Sequence, residues 1–416
     1  MRLKVANARG APTLGITLLL GSLSMISPLS IDTFLPSLPT IATDFGIDSW
    51  QAQQIITAYL LPFALFSLVH GSLSDALGRR TVVLAGLAFY TVGSIGCIVA
   101  PSLGWLLFCR VLQGMAAGIG STVARAVVRD LFDGANAQKL LSSMMLVFSL
   151  APAVAPVIGG WVHVTLGWRS VFGLLLVIGV TLLTLCALLL PETHPPEKRT
   201  EFHPVVLVRN CWQVASGSAF MLLAISASLS IAPLFAWIGS TPAIILERWH
   251  LKETQFHYVF IPVVAGFMVA SLVGRTIAGR IPRPRQIAIG FGLLFGGAIV
   301  ALVAQSLPDR AAILLTQCSL FGMSLGVQLS NPILSLDMLD MHPLSRGAAA
   351  SVQSFVTLIV GAVMMGMIAP VLHGDLRLLG LISLVVTGFA WLAWRGGAKL
   401  AIRQQYPRGN ADSRGI

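Results

Sequence analysis

Asp32 has the most distinctive chemical position in the chain. Of the 16 acidic residues, 15 fall in polar stretches or at the ends of apolar runs, and Asp32 alone lies inside one. A carboxylate at such depth is costly and normally marks an ion pathway or a proton relay. Loss of water disfavours its charged form and a nearby cation favours it. A group held between the two can exchange a proton. The plainer reading is an acid that snorkels to the outer interface, since Asp32 sits about a turn and a half from the end of its run. Arg110 is the matching cation, the basic residue left inside a run once the others are assigned to the two sides. Arg110, Gln113, Gly114, Ala117, Gly118 and Ser121 recur at helical spacing on one face, as do Gly21, Ser24, Pro28 and Asp32. Small residues on such a face admit a neighbouring helix. If successive runs cross in alternate directions, residues 32 and 110 lie at similar depth. The spacing then predicts that Arg110 holds Asp32 ionised in one state and leaves it free to take a proton in another. A static pair, or no contact, is the bland alternative.

Three further constellations could do work. Gly71, Asp75, Gly78, Arg79 and Arg80 form a polar loop after the second run. A carboxylate near a helix N-terminus gains about 0.3–1 kcal/mol, so Asp75 could latch onto the start of span eleven near Gly347, while Arg79 and Arg80 could equally be plain topology signals. Pro152, Pro156, Gly159 and Gly160 predict a kinked, thin fifth span, which reads as close packing or as part of a transport device. Tyr59, Trp237, Asn331, Gln353 and Phe355 are polar or aromatic residues at depth that could contact a bound small molecule. Met144, Met145, Met364, Met365 and Met367 would add adaptable surface. For each of these, core or lipid contact is the bland alternative. Trp105, Trp161, Trp168, Trp249 and Trp394 fit an interfacial aromatic belt. His70 has no acidic partner visible in the sequence and is assigned no role. The five scattered cysteines show no CxxC pair, so neither a disulfide framework nor a metal site is expected. No phosphate-cradling loop or nucleophile–base pair appears, which argues against ATP as an energy source and against an integral-membrane enzyme.

The elements that must position these residues follow from composition. Of 416 residues, 56% are apolar and only 10% charged, with mean hydropathy +0.84. A soluble chain of this size needs roughly a quarter of its residues charged, so soluble enzymes, secreted domains and nucleic-acid-binding modules are excluded. Apolar runs near 13–37, 51–73, 81–100, 105–127, 139–162 and 169–190 are followed by a second set near 218–244, 256–279, 287–305, 311–336, 347–372 and 376–394. Each is long enough to cross a bilayer as a helix. Basic residues precede the first run, but no small-residue cleavage pattern follows it, so it reads as span one. The expected fold is an all-α membrane protein with twelve transmembrane helices in two six-helix halves, 1–191 and 218–394. A polar linker, 192–217, joins the halves and a tail, 395–416, follows them. With both termini placed in the cytoplasm, 21 of the 27 Lys and Arg fall on that side. This bias accounts for the net charge of +11 without nucleic acid. A weak repeat links Gly71–Arg80 after span two to Gly274–Arg285 after span eight, where no acid matches Asp75. Two related halves with a site between them describe a secondary transporter.

The motifs also carry a resemblance. Gly71-x-Leu73-x-Asp75-x-x-Gly78-Arg79-Arg80 resembles the loop motif of the major facilitator superfamily, and Arg110-x-x-Gln113-Gly114 resembles its second motif. Ala155-Pro156-x-x-Gly159-Gly160 is similar to its proton-antiporter motif, with Ala in place of the usual first Gly. Asp32-Thr-Phe-Leu-Pro36-Ser-Leu-Pro39, Val128-Arg129-Asp130-Leu-Phe132 and Leu234-Phe-Ala-Trp237-Ile-Gly-Ser-Thr-Pro242 resemble the bicyclomycin/chloramphenicol-resistance branch of drug:proton antiporters. The resemblance implies proton-coupled efflux of lipophilic drug-like compounds by alternating access. It assigns proton coupling to the arginine at 110 and a gate to the Asp75 loop. It implies a monomer in the bacterial inner membrane whose partners are a small-molecule substrate, protons and membrane lipids, with the proton gradient in place of any cofactor. Export of a natural metabolite such as a nucleoside, amino-acid derivative or siderophore is the alternative within transport. A passive facilitator or a substrate sensor would leave the lone intramembrane acid unexplained. The topology is testable with reporter fusions. A reporter active only in the cytoplasm should work when fused after residue 395 and fail when fused after Leu307, and an export-dependent phosphatase should do the reverse.

Overall fold

Hydrocarbon offers the backbone no hydrogen-bond partners, so a chain this apolar must close its own. The computed structural model describes residues 13–199, 201–277, 279–372 and 375–405. Arg2, Lys4, Arg9, Arg408 and Arg414 of the expected charge bias lie outside them, as does the tail beyond 405. In the first half, α1 (Leu14–Asp32) leads through a 3₁₀ turn into α2 (Leu38–Phe45). α3 (Ser49–Ser67), α4 (His70–Leu77), α5 (Arg79–Ile98), α6 (Leu103–Leu131), α7 (Gly134–Leu166) and α8 (Trp168–Leu189) follow. The linker contains α9 (Pro204–Ala215). The second half has α10 (Ser218–Gly239), α11 (His257–Ile277), α12 (Arg283–Ala304), α13 (Asp309–Met341), α14 (Arg346–Val363), α15 (Ala369–Leu372) and α16 (Leu376–Gln405). Among the described residues eleven segments are long and apolar enough to cross a membrane, and α3 with α4, taken as one bent span, makes a twelfth. The described residues contain no strand.

Four details depart from the sequence reading. Span one does not stop near residue 37. The apolar helical run continues through the 3₁₀ turn to Phe45, so Asp32 lies well within it rather than near its end. Span two is broken, with α4 bent 55° from α3. There the backbone tightens to i→i−3 bonds at Leu68 and Val69, and the Ser67 hydroxyl bonds back to the Ala64 carbonyl at 2.7 Å. Such back-bonding bends helices. His70 then pins α4 to α6 through Nε2 on the Met115 carbonyl, 2.9 Å away. Spans seven and eleven are also not continuous α-helix. π-helical turns occupy Ala243–Arg248 and Met364–Ile368. Finally, the linker is not wholly irregular. α9 packs on α10 and α14 through its buried Val214, while Val205, Val208 and Trp212 share an exposed face.

Helix packing depends on small residues, as expected where lipid offers no hydrophobic drive between helices. A Cβ on Gly114 would collide with the Tyr59 carbonyl, and one on Gly120 with the Leu23 carbonyl; α3 and α1 thus lie directly on α6. Gly118 leaves room for the rings of His70 and Phe63. In the second half, Gly290 and Gly297 bring α12 equally close to α13. Trp105 and Trp161 are about half exposed, as a belt residue must be, whereas two other tryptophans are not. Trp168 is buried against Phe45 and Phe172 and donates to Asp44 Oδ2 at 2.6 Å. Trp394 is buried against Phe291. Each of these tryptophans fills a core gap, with a polar partner for Trp168 Nε1. Replacing Gly120 with Val should overpack the α1–α6 seam and cost about 1–3 kcal/mol, read as earlier loss of the monodisperse peak in a thermal size-exclusion assay.

Candidate functional site

α1 ends at Asp32, so the carbonyls of its last turn lack intrahelical partners. One of them, Ser30 O, accepts from Arg110 Nη1 at 3.1 Å, which also places a cation at the negative end of the helix dipole. Arg110 is fully buried. The same nitrogen donates to Gln113 Oε1 at 2.9 Å, and Nε reaches the Ile55 carbonyl at 3.3 Å. The guanidinium lies between the rings of Phe34 and Tyr59, each 4.5 Å from its carbon. Gln113 is held in turn by Ser94 Oγ at 2.8 Å, and Ser30 Oγ meets the Tyr90 hydroxyl at 2.6 Å. Arg110 Nη2 is buried without a hydrogen-bond partner. Asp32, the last residue of α1, is 6% exposed, and among the described residues no cationic nitrogen lies within 4.0 Å of its carboxyl group. The structure therefore brings Arg110, Gln113 and Tyr59 into one cluster beside Asp32 without an Asp32–Arg110 ion pair.

The Asp75 loop is built on Arg79. Its guanidinium pairs with Asp75, bonds Asp130 Oδ2 at 3.0 Å and donates to Ser74 Oγ at 2.6 Å. Glu192 caps the start of α5, accepting from the backbone N–H of Arg79 at 2.9 Å and of Arg80 at 3.2 Å. Gly78 has φ +94°, and a Cβ there would run into Glu192 and Arg199, so only glycine suits the position. Arg80 donates to the Ala187 carbonyl at 2.5 Å, near the C-terminus of α8. Gly71 has open space around it. Asp75 thus pairs within its own half, and Arg346 at the start of α14 faces Asp340 at 4.0 Å instead.

The opposite end is where the halves meet. Among the described residues two side-chain hydrogen bonds cross between them. Gln53 Nε2 donates to Gly239 O at 2.9 Å and Gln54 Nε2 to Gly366 O at 3.1 Å. Gly239 ends α10, so its carbonyl lies in a last turn that lacks intrahelical partners, and Pro370, four residues after Gly366, has no N–H to offer the other. The glycines of the expected antiporter motif belong to this seam. A Cβ on Gly159 would strike the Thr33 carbonyl, next to Asp32, and one on Gly160 would strike the Glu253 carbonyl of the second half. Pro152 and Pro156 lie within α7, which runs unbroken past them.

The residues proposed for a substrate wall are scattered. Tyr59 and Trp237 are fully buried, the first beneath Arg110 and the second donating to Ser383 Oγ at 3.2 Å. Asn331 accepts from Ser230 Oγ at 3.1 Å, and Gln353 donates to Ser335 Oγ at 2.5 Å. Phe355 is half-buried on α14, where residues 353–360 all keep partial exposure. Sequence reasoning missed Phe34, Glu192, Gln53 and Gln54. Phe34 was visible as the aromatic two residues after Asp32, and Glu192 as the acid closing span six.

Eleven or twelve apolar spans on either side of a polar linker, with a buried polar cluster inside the first six and a seam of amide–carbonyl contacts to the rest, define a polytopic transporter rather than an enzyme. The Major Facilitator Superfamily model matches residues 20–365, and the chain belongs to that family. It is 30% identical over 318 residues to an uncharacterized MFS-type transporter, YdgK, of Bacillus subtilis, covering 76% of each chain. It is 27% identical over 363 residues to a bicyclomycin resistance protein homolog of Haemophilus influenzae, covering 85% of this chain and 88% of that one. A multidrug resistance protein of Escherichia coli, MdtL, is 27% identical over 304 residues, 73% of this chain and 74% of its own. These relatives agree with the resemblance to the bicyclomycin-resistance branch. The seam yields a direct test. Gly160→Val should part the halves at that end, and a cysteine placed at Gln54 in a cysteine-free background should then react several-fold faster with a membrane-impermeant maleimide.

Proposed function

We propose that this transporter exports lipophilic, drug-like compounds in exchange for protons, as a monomer in a bacterial inner membrane with both termini in the cytoplasm. The observation that carries the reading is the separation of Asp32 from Arg110. An unpaired carboxylate shielded from water is costly, and taking up a proton removes that cost. The Arg110 nitrogen that lacks a partner would satisfy the carboxylate once the proton has left. Asp32 then alternates between a protonated, unpaired form and an ionised form bonded to Nη2, and the two forms favour different arrangements of α1 against α6. Closure at Gln53 and Gln54 with no matching contact at Asp75 supports a state open toward the Asp75 side. Docking of Asp75 on α14 would belong to the opposite state. The resistance named in two of the relatives supports a drug-like substrate.

In vesicles carrying the full chain, a pH gradient should drive efflux of a fluorescent lipophilic drug, and drug addition should release protons from the detergent-purified protein. Asp32→Asn should abolish both. Arg110→Gln should cut coupled efflux at least tenfold while leaving drug binding within a few-fold. Unchanged gradient-driven transport and proton release in Asp32→Asn would reject the assignment.

A further inference from the structure

The latch at Gln53 leaves an oxygen over. Its Nε2 is committed to the Gly239 carbonyl, which fixes the amide, and its Oε1 is buried without a hydrogen-bond partner. Ser240 Oγ, on the residue after Gly239, is in the same condition. Gln53 is 8% exposed and Ser240 2%. Both line one cavity of about 60 Å³ between the two halves. Buried polar atoms in native proteins nearly always have a partner, so these two require one that fits there.

Helix ends build the walls. α3 contributes Ser49 and Gln53, one turn apart, and α2 contributes Leu38 and Ala42 at the same spacing. From the second half come Ser240 after the end of α10 and, on the π-helical turn that follows, Ala243 and Glu247. Single π-turns are frequent at functional sites. Glu247 is the one charged residue in the lining, and among the described residues no basic nitrogen lies within 4.0 Å of its carboxylate. Arg248, next in sequence, lines a different cavity with Gln305 and Arg377. Gly239 closes α10, so the negative end of that helix dipole lies at the cavity. The positive end of α3 is covered by its capping acid Asp48, which accepts from the Gln51 N–H at 2.7 Å.

A free carboxylate, buried neutral oxygens and a helix C-terminus make a donor set for a hard cation. The cavity has room for about two water-sized bodies of about 30 Å³ each. One carboxylate and that space suit a monovalent ion with part of its water, whereas Ca²⁺ takes about six to eight oxygens. We infer that this cavity binds a monovalent metal cation such as Na⁺ through Gln53 Oε1, Ser240 Oγ and the Glu247 carboxylate. Because these ligands come from both halves, the ion joins them and favours the arrangement in which Gln53 and Gln54 hold the seam closed. No proton step enters this inference, which stands apart from the export reading.

The test titrates the full chain in nanodiscs with NaCl against choline chloride at constant total salt and reads the thermal unfolding midpoint, which a ligand of the native state raises. Na⁺ should raise the midpoint saturably and choline should not. Na⁺ should also slow maleimide labelling of Gln54→Cys in a cysteine-free background several-fold. Glu247→Gln should raise the half-saturating Na⁺ concentration at least tenfold, and Ser240→Ala should raise it several-fold. Each variant is compared with its own midpoint in choline, so a general loss of stability does not imitate lost binding. Equal midpoints in Na⁺ and choline would overturn the proposal and leave the cavity to water. A Na⁺ response unchanged in Glu247→Gln, or labelling of Gln54→Cys indifferent to Na⁺, would overturn it as well, since the ion would then bind elsewhere.

Discussion

Inside a bilayer a backbone carbonyl that its own helix cannot use has to find another donor, and this fold turns that constraint into its working contacts. The end of α1 leaves Ser30 O for Arg110. The end of α8 leaves Ala187 O for Arg80. The end of α10 leaves Gly239 O and Pro370 strips the partner from Gly366 O, and Gln53 and Gln54 take them up. His70 uses the Met115 carbonyl to hold the bent half of span two. Each of these donors is a side chain reaching from a different helix, so the points where helices end or break are also the points where the bundle is tied together.

The two ends of the molecule use different chemistry. At one end the ties are amide to carbonyl, packed against glycines that admit backbone contact. At the other they are ionic and stay within each half, with Arg79 gathering Asp75 and Asp130, and Arg283 gathering Asp337 and Asp340. The second cluster occupies the corresponding place in its half, at the start of span nine against the end of span ten. The sequence repeat after span eight therefore has a structural counterpart even though no acid there matches Asp75. Its acids come from α13 instead.

Much of this was legible in the residues. Twelve apolar runs correspond to the spans, because hydropathy over about twenty residues is a strong signal. The helical spacing of Arg110, Gln113 and Gly114 correctly marked an interior face, since 3.6-residue periodicity survives any tertiary context. What escaped notice were features that depend on a partner distant in sequence. Glu192 reads as one more loop acid until α5 begins beside it. Trp168 looks like a belt residue until Asp44 and Phe172 enclose it. Pro370 was visible, but which side chain would reach the carbonyl it freed was not. The absence of an Asp32–Arg110 bond was equally hidden, because equal depth does not determine which rotamers meet.

The seam at Gln53 and Gln54 has a further consequence. Both latches are uncharged, so neither ionic strength nor the acidity of the adjoining compartment acts on them directly. A chemical command to open that door can arrive through the neighbouring helix. Gly159 sets it against Thr33, and a proton bound one residue earlier could be felt there as a change of fit.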